Sequence, residues 1–358
     1  VYVLYHIKPY SNECIQKDMY AYETTLNNHS FQLKDYDITF DPSNGHICRV
    51  THVASQTELL MEHSANHLSV YKDLGDAWNI LDHYREQEAM TPTLTGQTIK
   101  KYGRFIEIQH RYEVMHSTID ERVMIDTMSN QITFKHDVDW QDVGYMLRTN
   151  FPLEIHSKEA TFDIQFGEIK RPRTTNNSID KAKFEVCGHH WASIYDGTFG
   201  ASLLSDSKYG YHVQNNNFDL NLLRSTNYPA VSGDIGHTSY TYQLILHTDD
   251  HVNAHIDTQG LILNSYYPHF TKTLNHKPLI NLFNEHIDIS TIKRSEDNNG
   301  IIIRCYEKHG KEVTALLQWE KNPKKVFRTN LLEEDAVLLE DQSLTFRPYQ
   351  IITLKVIF

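Results

Sequence analysis

The chain has 358 residues, 40% apolar and 11% aromatic, with 34 Lys and Arg against 46 Asp and Glu for a formal charge of −12. Its length suits two or three packed units, and acidic residues spread along it with no basic patch exclude a nucleic-acid partner. No apolar run reaches the ~18 residues of a membrane span. Cys14, Cys48, Cys187 and Cys305 stand far apart with no CxxC pair, so reduced thiols and a cytoplasmic location are expected. The sequence starts at Val1 within strand-like alternation, with neither an initiator Met nor a signal-peptide pattern, and reads as cut from something longer.

In chain order, Val1–Ile7 alternates as a strand, and Tyr20–Leu26 is a second candidate. Phe31–Phe40 and Ile47–Val53 flank Asp41-Pro42-Ser43-Asn44-Gly45, a turn signal that predicts a hairpin. Tyr71–Tyr84 is polar and aromatic, and reads as a loop. In Arg104–His116, Ile106, Ile108, His110, Tyr112 and Val114 share one face while Glu107, Gln109, Arg111 and Glu113 share the other. Gln131–Trp140 repeats this with Ile132, Phe134, His136, Val138 and Trp140. Phe151–Phe166 predicts two short strands. The best helical signal is Asp250–Leu263, with N-caps at Thr248 or Asp249. Pro268 and Pro278 lie in a loop-rich stretch, and strands at 301–306, 313–319, 327–330 and 350–358 follow it.

The expected fold is therefore all-β: a large antiparallel sandwich followed by a small one. The expected divisions are 1–30, strands leading into the sandwich; 31–264, the large sandwich; 265–285, a linker; and 286–358, the small sandwich.

Candidate chemistry concentrates in few places. His247, His251 and His255 are four apart, but the Glu of a metalloprotease helix is missing, so a solvated helix face is the plainer reading. His189 and His190 are adjacent and on a strand would point to opposite faces, so at most one would join a site. Cys187 is expected to be a buried structural thiol. Asp76, Asp82, Asp137, Asp139, Asp196, Asp206 and Asp219 are plentiful carboxylates, expected mostly in turns or in solvent. Aromatic residues in loops, namely Trp78, Trp191, Tyr195, Tyr209 and Tyr211, sit beside polar groups and suit either a sugar's apolar faces and hydroxyls or ordinary packing.

The stretch Phe184–Tyr211 (FEVCGHHWASIYDGTFGASLLSDSKYGY), running on to Leu220–Ser225, resembles the C-terminal region of glycoside hydrolase family 38 α-mannosidases. So do Asp41–Val50, Asp76–Ile80, Phe151–Ile155 and Ala160–Pro172, in the family's order, and Leu316–Glu320 and Phe346–Val356 near the end. The resemblance implies a mutarotase-like supersandwich with a small closing β-sandwich. It places the family's nucleophile, acid/base carboxylate and zinc ligands in an N-terminal catalytic domain and a helical bundle, so no catalytic and no metal-binding residue is expected in this chain. The expected partners are that catalytic domain and a mannose-containing carbohydrate; oligomeric state is open, a homodimer included. Asp76, Trp78, His189, Trp191, Asp206, Tyr209 and Tyr211 match loops that close the sugar site against the catalytic domain, and the aromatic and polar residues of Lys183–Arg224 should be exposed. Ser207 and Asn79 depart from the family's usual Cys and Asp. A stand-alone carbohydrate-binding module and a mutarotase-like enzyme, the latter needing a His and a carboxylate on one cleft, are the alternatives.

Overall fold

A computed structural model describes residues 23–62, 64–230, 232–265, 279–282 and 284–358. The expected strand Val1–Ile7 lies outside these residues. Contacts divide the chain into two units, one of residues 23–163 and 170–265, the other of 164–169 and the chain from 279 on. No helix among the described residues is long and apolar enough to cross a membrane.

In the large unit, long strands pair antiparallel in sequence order: Thr93–Tyr102, Phe105–Val114, Ser117–Asp126 and Gln131–Trp140, with Gly236–His247 next to the last. Gly200–Ser205 and Trp191–Tyr195 extend this sheet. A five-stranded sheet runs in the order Val186–Cys187, Gly210–His212, Asp219–Ser225, Tyr145–Asn150, His67–Lys72. A four-stranded sheet holds the hairpin of Tyr36–Phe40 with Ile47–His52. Its turn needs the left-handed backbone of Gly45, at φ +76°. One apolar core joins the three sheets, with Ile108, Val123 and Phe134 from the first, Leu147 and Leu220 from the second and Ile38 from the third.

The period-two stripes hold: Ile106, Ile108, His110, Tyr112 and Val114 are buried, as are Ile132, Phe134, His136, Val138 and Trp140, while Asp137 faces out. Two long strands escape the sequence pattern. Thr93–Tyr102 is mostly exposed and carries no apolar alternation. Ser117–Asp126 does alternate, but its inward set Ile119, Glu121, Val123, Ile125 contains a glutamate.

That glutamate explains both inward histidines. Glu121 accepts from His110 Nδ1 at 2.9 Å, His136 Nε2 at 2.8 Å and Asn66 Nδ2 at 2.8 Å. The second nitrogen of each ring is also satisfied, by Gln97 Nε2 at 2.8 Å from His110 and by Tyr240 OH at 3.3 Å from His136. Burial pushes the Glu121 carboxyl up, but these donors outweigh it and hold it far below the usual carboxylate range.

Phe151–Ile155 corrects the two-strand expectation. It is a buried segment that bridges Leu60 at Leu153 and bonds through the Phe151 amide to Phe218, the Glu154 amide to Leu59 and the Pro152 carbonyl to Met61, without forming a continuous ladder; only Glu159–Ile164 is a strand. The helix also starts later than Asp250, spanning Ile256–Asn264. Asp250 Oδ1 accepts from the amides of Val252 and Asn253 in a preceding turn, and His255 breaks regularity at φ +53°.

The small unit pairs Ile287–Arg294, Ile301–Glu307, Ile351–Ile357, Lys325–Thr329 and Val337–Leu338 in one sheet, and Ile280–Leu282, Val313–Trp319 and Ser343–Phe346 in another. Ile303, Leu317, Phe346, Ile352, Leu354 and Val356 fill its separate core.

Candidate functional site

A cleft of about 1020 Å³ opens on the outer face of the five-stranded sheet. Its floor is Asn221–Arg224, one wall is Ala77, Trp78 and Ile80, and the other runs through Cys187 and Ser207–Gly210 to Asp234–Thr238. Leu220 and Leu222 of the floor strand point into the core, so alternation turns Asn221 and Asp219 outward.

Charged residues under this face hold the walls in place. Arg224 Nε donates to Asp73 Oδ2 at 2.7 Å, and its Nη2 donates to the carbonyls of Asp76 and Asn79 at 3.0 Å each. The Trp78 loop is thereby tied to the floor. Beside the cleft, the fully buried Arg148 donates from Nε to Asp219 Oδ1 at 2.6 Å and from Nη2 to Glu185 Oε2 at 3.2 Å. Arg85 donates to Asp219 Oδ2 at 2.9 Å, and Tyr84 OH to Glu185 Oε1 at 2.6 Å. Burial raises both carboxyls, but the two guanidiniums bring Asp219 below its ordinary range while Glu185 stays above its own. Asp219 is thus a buried exception among carboxylates expected mostly in turns or in solvent.

Of the seven expected site residues, Trp78 and Tyr209 line the cleft, 73% and 45% exposed. Trp78 stands edge-on to Tyr228 at 5.9 Å. Asp76 shapes the loop instead of facing the cleft, its Oδ1 accepting from the amides of Trp78 and Asn79 at 2.9 Å. Asp206 is likewise engaged, accepting from the Thr241 amide and the Ser207 hydroxyl. Trp191 and Tyr211 correct the expectation of exposure. Trp191 is 2% exposed and packs with Leu204 and Ile256 under the helix, and Tyr211 is in the main core. Tyr211 points into the main core, whereas Trp191 lies on the opposite face of its sheet from the core residues Ala192 and Ile194 and is covered by the helix Ile256–Asn264. Cys187 corrects in the other direction, since it is exposed at the cleft edge.

His189 lies behind Tyr209, ring centroids 5.7 Å apart. The adjacent histidines do not diverge. They form a bend before Trp191–Tyr195, their rings are 3.8 Å apart, and both approach Asp163. His247, His251 and His255 do not gather: His247 is buried against Ser202 Oγ at 2.9 Å, and His251 lies over Trp191.

The residues that sequence reasoning missed are Arg148, Glu185 and Arg224. Lys208 lines the cleft with its ammonium 4.3 Å from the Tyr240 ring centroid, and burial lowers its pKa. Arg148 in Tyr145–Asn150 and Arg224 in Asp219–Ser225 stand among other polar residues of their strands, so no local signal set them apart. Chemically, the cleft offers aromatic faces, an amide and cations, with Asp234 as the carboxylate among its lining residues.

The glycosyl hydrolases family 38 C-terminal domain matches residues 33–232, and that family's C-terminal beta sandwich domain matches residues 286–354. The chain belongs to glycosyl hydrolase family 38. Alpha-mannosidase G of Dictyostelium discoideum is 29% identical over 289 residues, 76% of this chain and 27% of that protein. Alpha-mannosidase 2C1 of Homo sapiens is 27% identical over 348 residues, 89% of this chain and 33% of that protein. This family 38 chain therefore spans about a third or less of these relatives. A solved alpha-mannosidase from Enterococcus faecalis V583 shares its fold, at TM-score 0.73 and 14% identity over 92% of this chain and 42% of that one. The all-β, C-terminal family 38 architecture is thus the observed one.

Proposed function

We propose that this chain is the non-catalytic C-terminal part of a retaining α-mannosidase acting on mannose-containing glycans, and that its cleft face helps to close the sugar site against an N-terminal catalytic domain. The observation that carries this is the pair of exposed aromatics, Trp78 on a loop fixed by the Arg224–Asp73 ion pair and Tyr209 on a loop fixed by Asp206 and Ser205, within a family 38 C-terminal domain. Large apolar side chains held rigidly at a surface suit a partner surface or a sugar face. A retaining glycosidase needs two carboxyl groups about 5–5.5 Å apart. The cleft lining supplies Asp234, while Asp76 and Asp206 are spent on backbone amides. In this reading the attacking carboxylate, the acid/base and the zinc belong to the catalytic domain, and this chain positions and excludes water.

The test is hydrolysis of an aryl α-mannoside by the purified chain. No turnover is expected, and turnover that tracks the chain through purification would overturn the reading. The openness of Trp78 and Tyr209 also favours a stand-alone carbohydrate-binding module. Calorimetry with mannobioses decides between the two: heat at millimolar ligand, abolished by Trp78→Ala, would support the module. The mutarotase-like alternative fares less well, because His110 and Glu121, though in contact, both have side chains of 0% exposure.

A further inference from the structure

We infer that Asp163, His189 and His190 form a binding site for a zinc-like divalent transition-metal ion. The site goes beyond the domain-closing role above and does not depend on it. Asp163 is the penultimate residue of the strand Glu159–Ile164, and the two histidines occupy the bend that leads into its partner strand Trp191–Tyr195. The bend is anchored on both sides. The His189 amide donates to the Asp163 carbonyl at 2.9 Å, and the His190 carbonyl accepts from the Ser205 amide at 3.0 Å.

One carboxylate oxygen is the focus. Asp163 Oδ2 accepts from the His190 amide at 2.9 Å, lies 3.0 Å from His190 Nδ1 and 3.6 Å from His189 Nδ1. Only the His190 amide is a hydrogen-bond donor to this oxygen, and both imidazole Nδ1 atoms converge on it, an arrangement in which lone pairs of two rings and a carboxylate meet at one point. A cation fits between the three ligand atoms. Tetrahedral zinc with bonds of about 2.0–2.2 Å sets its ligand atoms ~3.4 Å apart, close to the observed separations. The three ligand atoms all lie within 4.8 Å of one another, on side chains that are partly buried yet reachable from solvent. Two imidazoles and one carboxylate suit zinc or cobalt over the hard cations magnesium and calcium.

The experiment titrates the chelator-stripped chain with Co²⁺ and follows visible absorption, then displaces it with Zn²⁺. One equivalent with a ligand-field spectrum is expected, lost stoichiometrically to zinc. His190→Gln and Asp163→Asn should each weaken binding by more than the roughly 10–100-fold typical of changes around a metal's ligands. Zinc should raise the thermal midpoint of the parent but not of the variants. If Asp163→Asn fails to fold, His189→Gln serves in its place. No ligand-field spectrum, or one equally strong in the His190→Gln and His189→Gln chains, overturns the site, the latter by assigning the metal to other histidines.

Discussion

Arg224 illustrates how much a single side chain decides here. It lies on the floor of the cleft, yet its guanidinium holds the loop that carries Trp78 through Asp73 and two carbonyls. The Asp73 side chain is 1% exposed, so removing its partner strands a buried charge. Arg224→Ala should cost about 2 kcal/mol in urea unfolding, the scale of a charged hydrogen-bond set. Limited proteolysis should also cut more quickly within 73–83. Unchanged cleavage would mean that the loop is held by other contacts. None of this was readable beforehand, because Arg224 looks like any basic residue near a strand end, whereas Trp78 announces itself by type. Asp76 was legible as a loop residue, but its role as an amide acceptor depends on a backbone turn.

Among the elements, the strand Ser117–Asp126 is the instructive one. Adjacent residues Glu121 and Arg122 face opposite sides, the first enclosed by His110 and His136, the second half exposed with an ion pair to Glu107 at 3.8 Å. Glu121→Gln should destabilise by at least about 2 kcal/mol, since an amide cannot accept from every donor now facing the carboxylate. Arg122→Gln should stay within about 0.5 kcal/mol, as loose surface pairs contribute little. Equal losses in denaturant melts would refute the assignment of faces. The strands Arg104–His116 and Gln131–Trp140 were legible because their stripes are continuous. A histidine within each stripe was the trace of an unseen buried acid, and Glu121 hid the strand that supplied it.

At the level of the whole molecule, the large unit stores buried imidazoles that should set its acid response. His46, His212 and His247 are each nearly inaccessible, and burial above all pushes each pKa down to about 4. In the unfolded chain they titrate near 6.5. Between these values the unfolded chain takes up protons that the folded chain does not, so stability must fall as pH drops from about 6.5 to about 4 and then level off for these groups. Each can account for up to roughly 3 kcal/mol. Asp219, held low, acts in a lower window, losing its contribution only as pH falls below about 4. Urea unfolding at pH 7.5, 5.5 and 4.5 should show a steep decline across the first range, and a flat profile would contradict it.

The sequence by itself determined the all-β class, the two-sandwich order and the family, because period-two alternation and ordered motifs are local properties that survive without coordinates. It also singled out Trp78 and Tyr209 by residue type and loop context. Tertiary structure alone decided which aromatics face solvent, since Trp191 and Tyr211 carry the same local signals but are buried, the first beneath the helix and the second in the main core. It alone paired Arg148 with Asp219 and Glu185 across 71 and 37 residues of sequence separation, and turned two adjacent histidines onto one carboxylate. Burial and electrostatic pairing depend on what distant strands bring to the same place, and no local spacing encodes that.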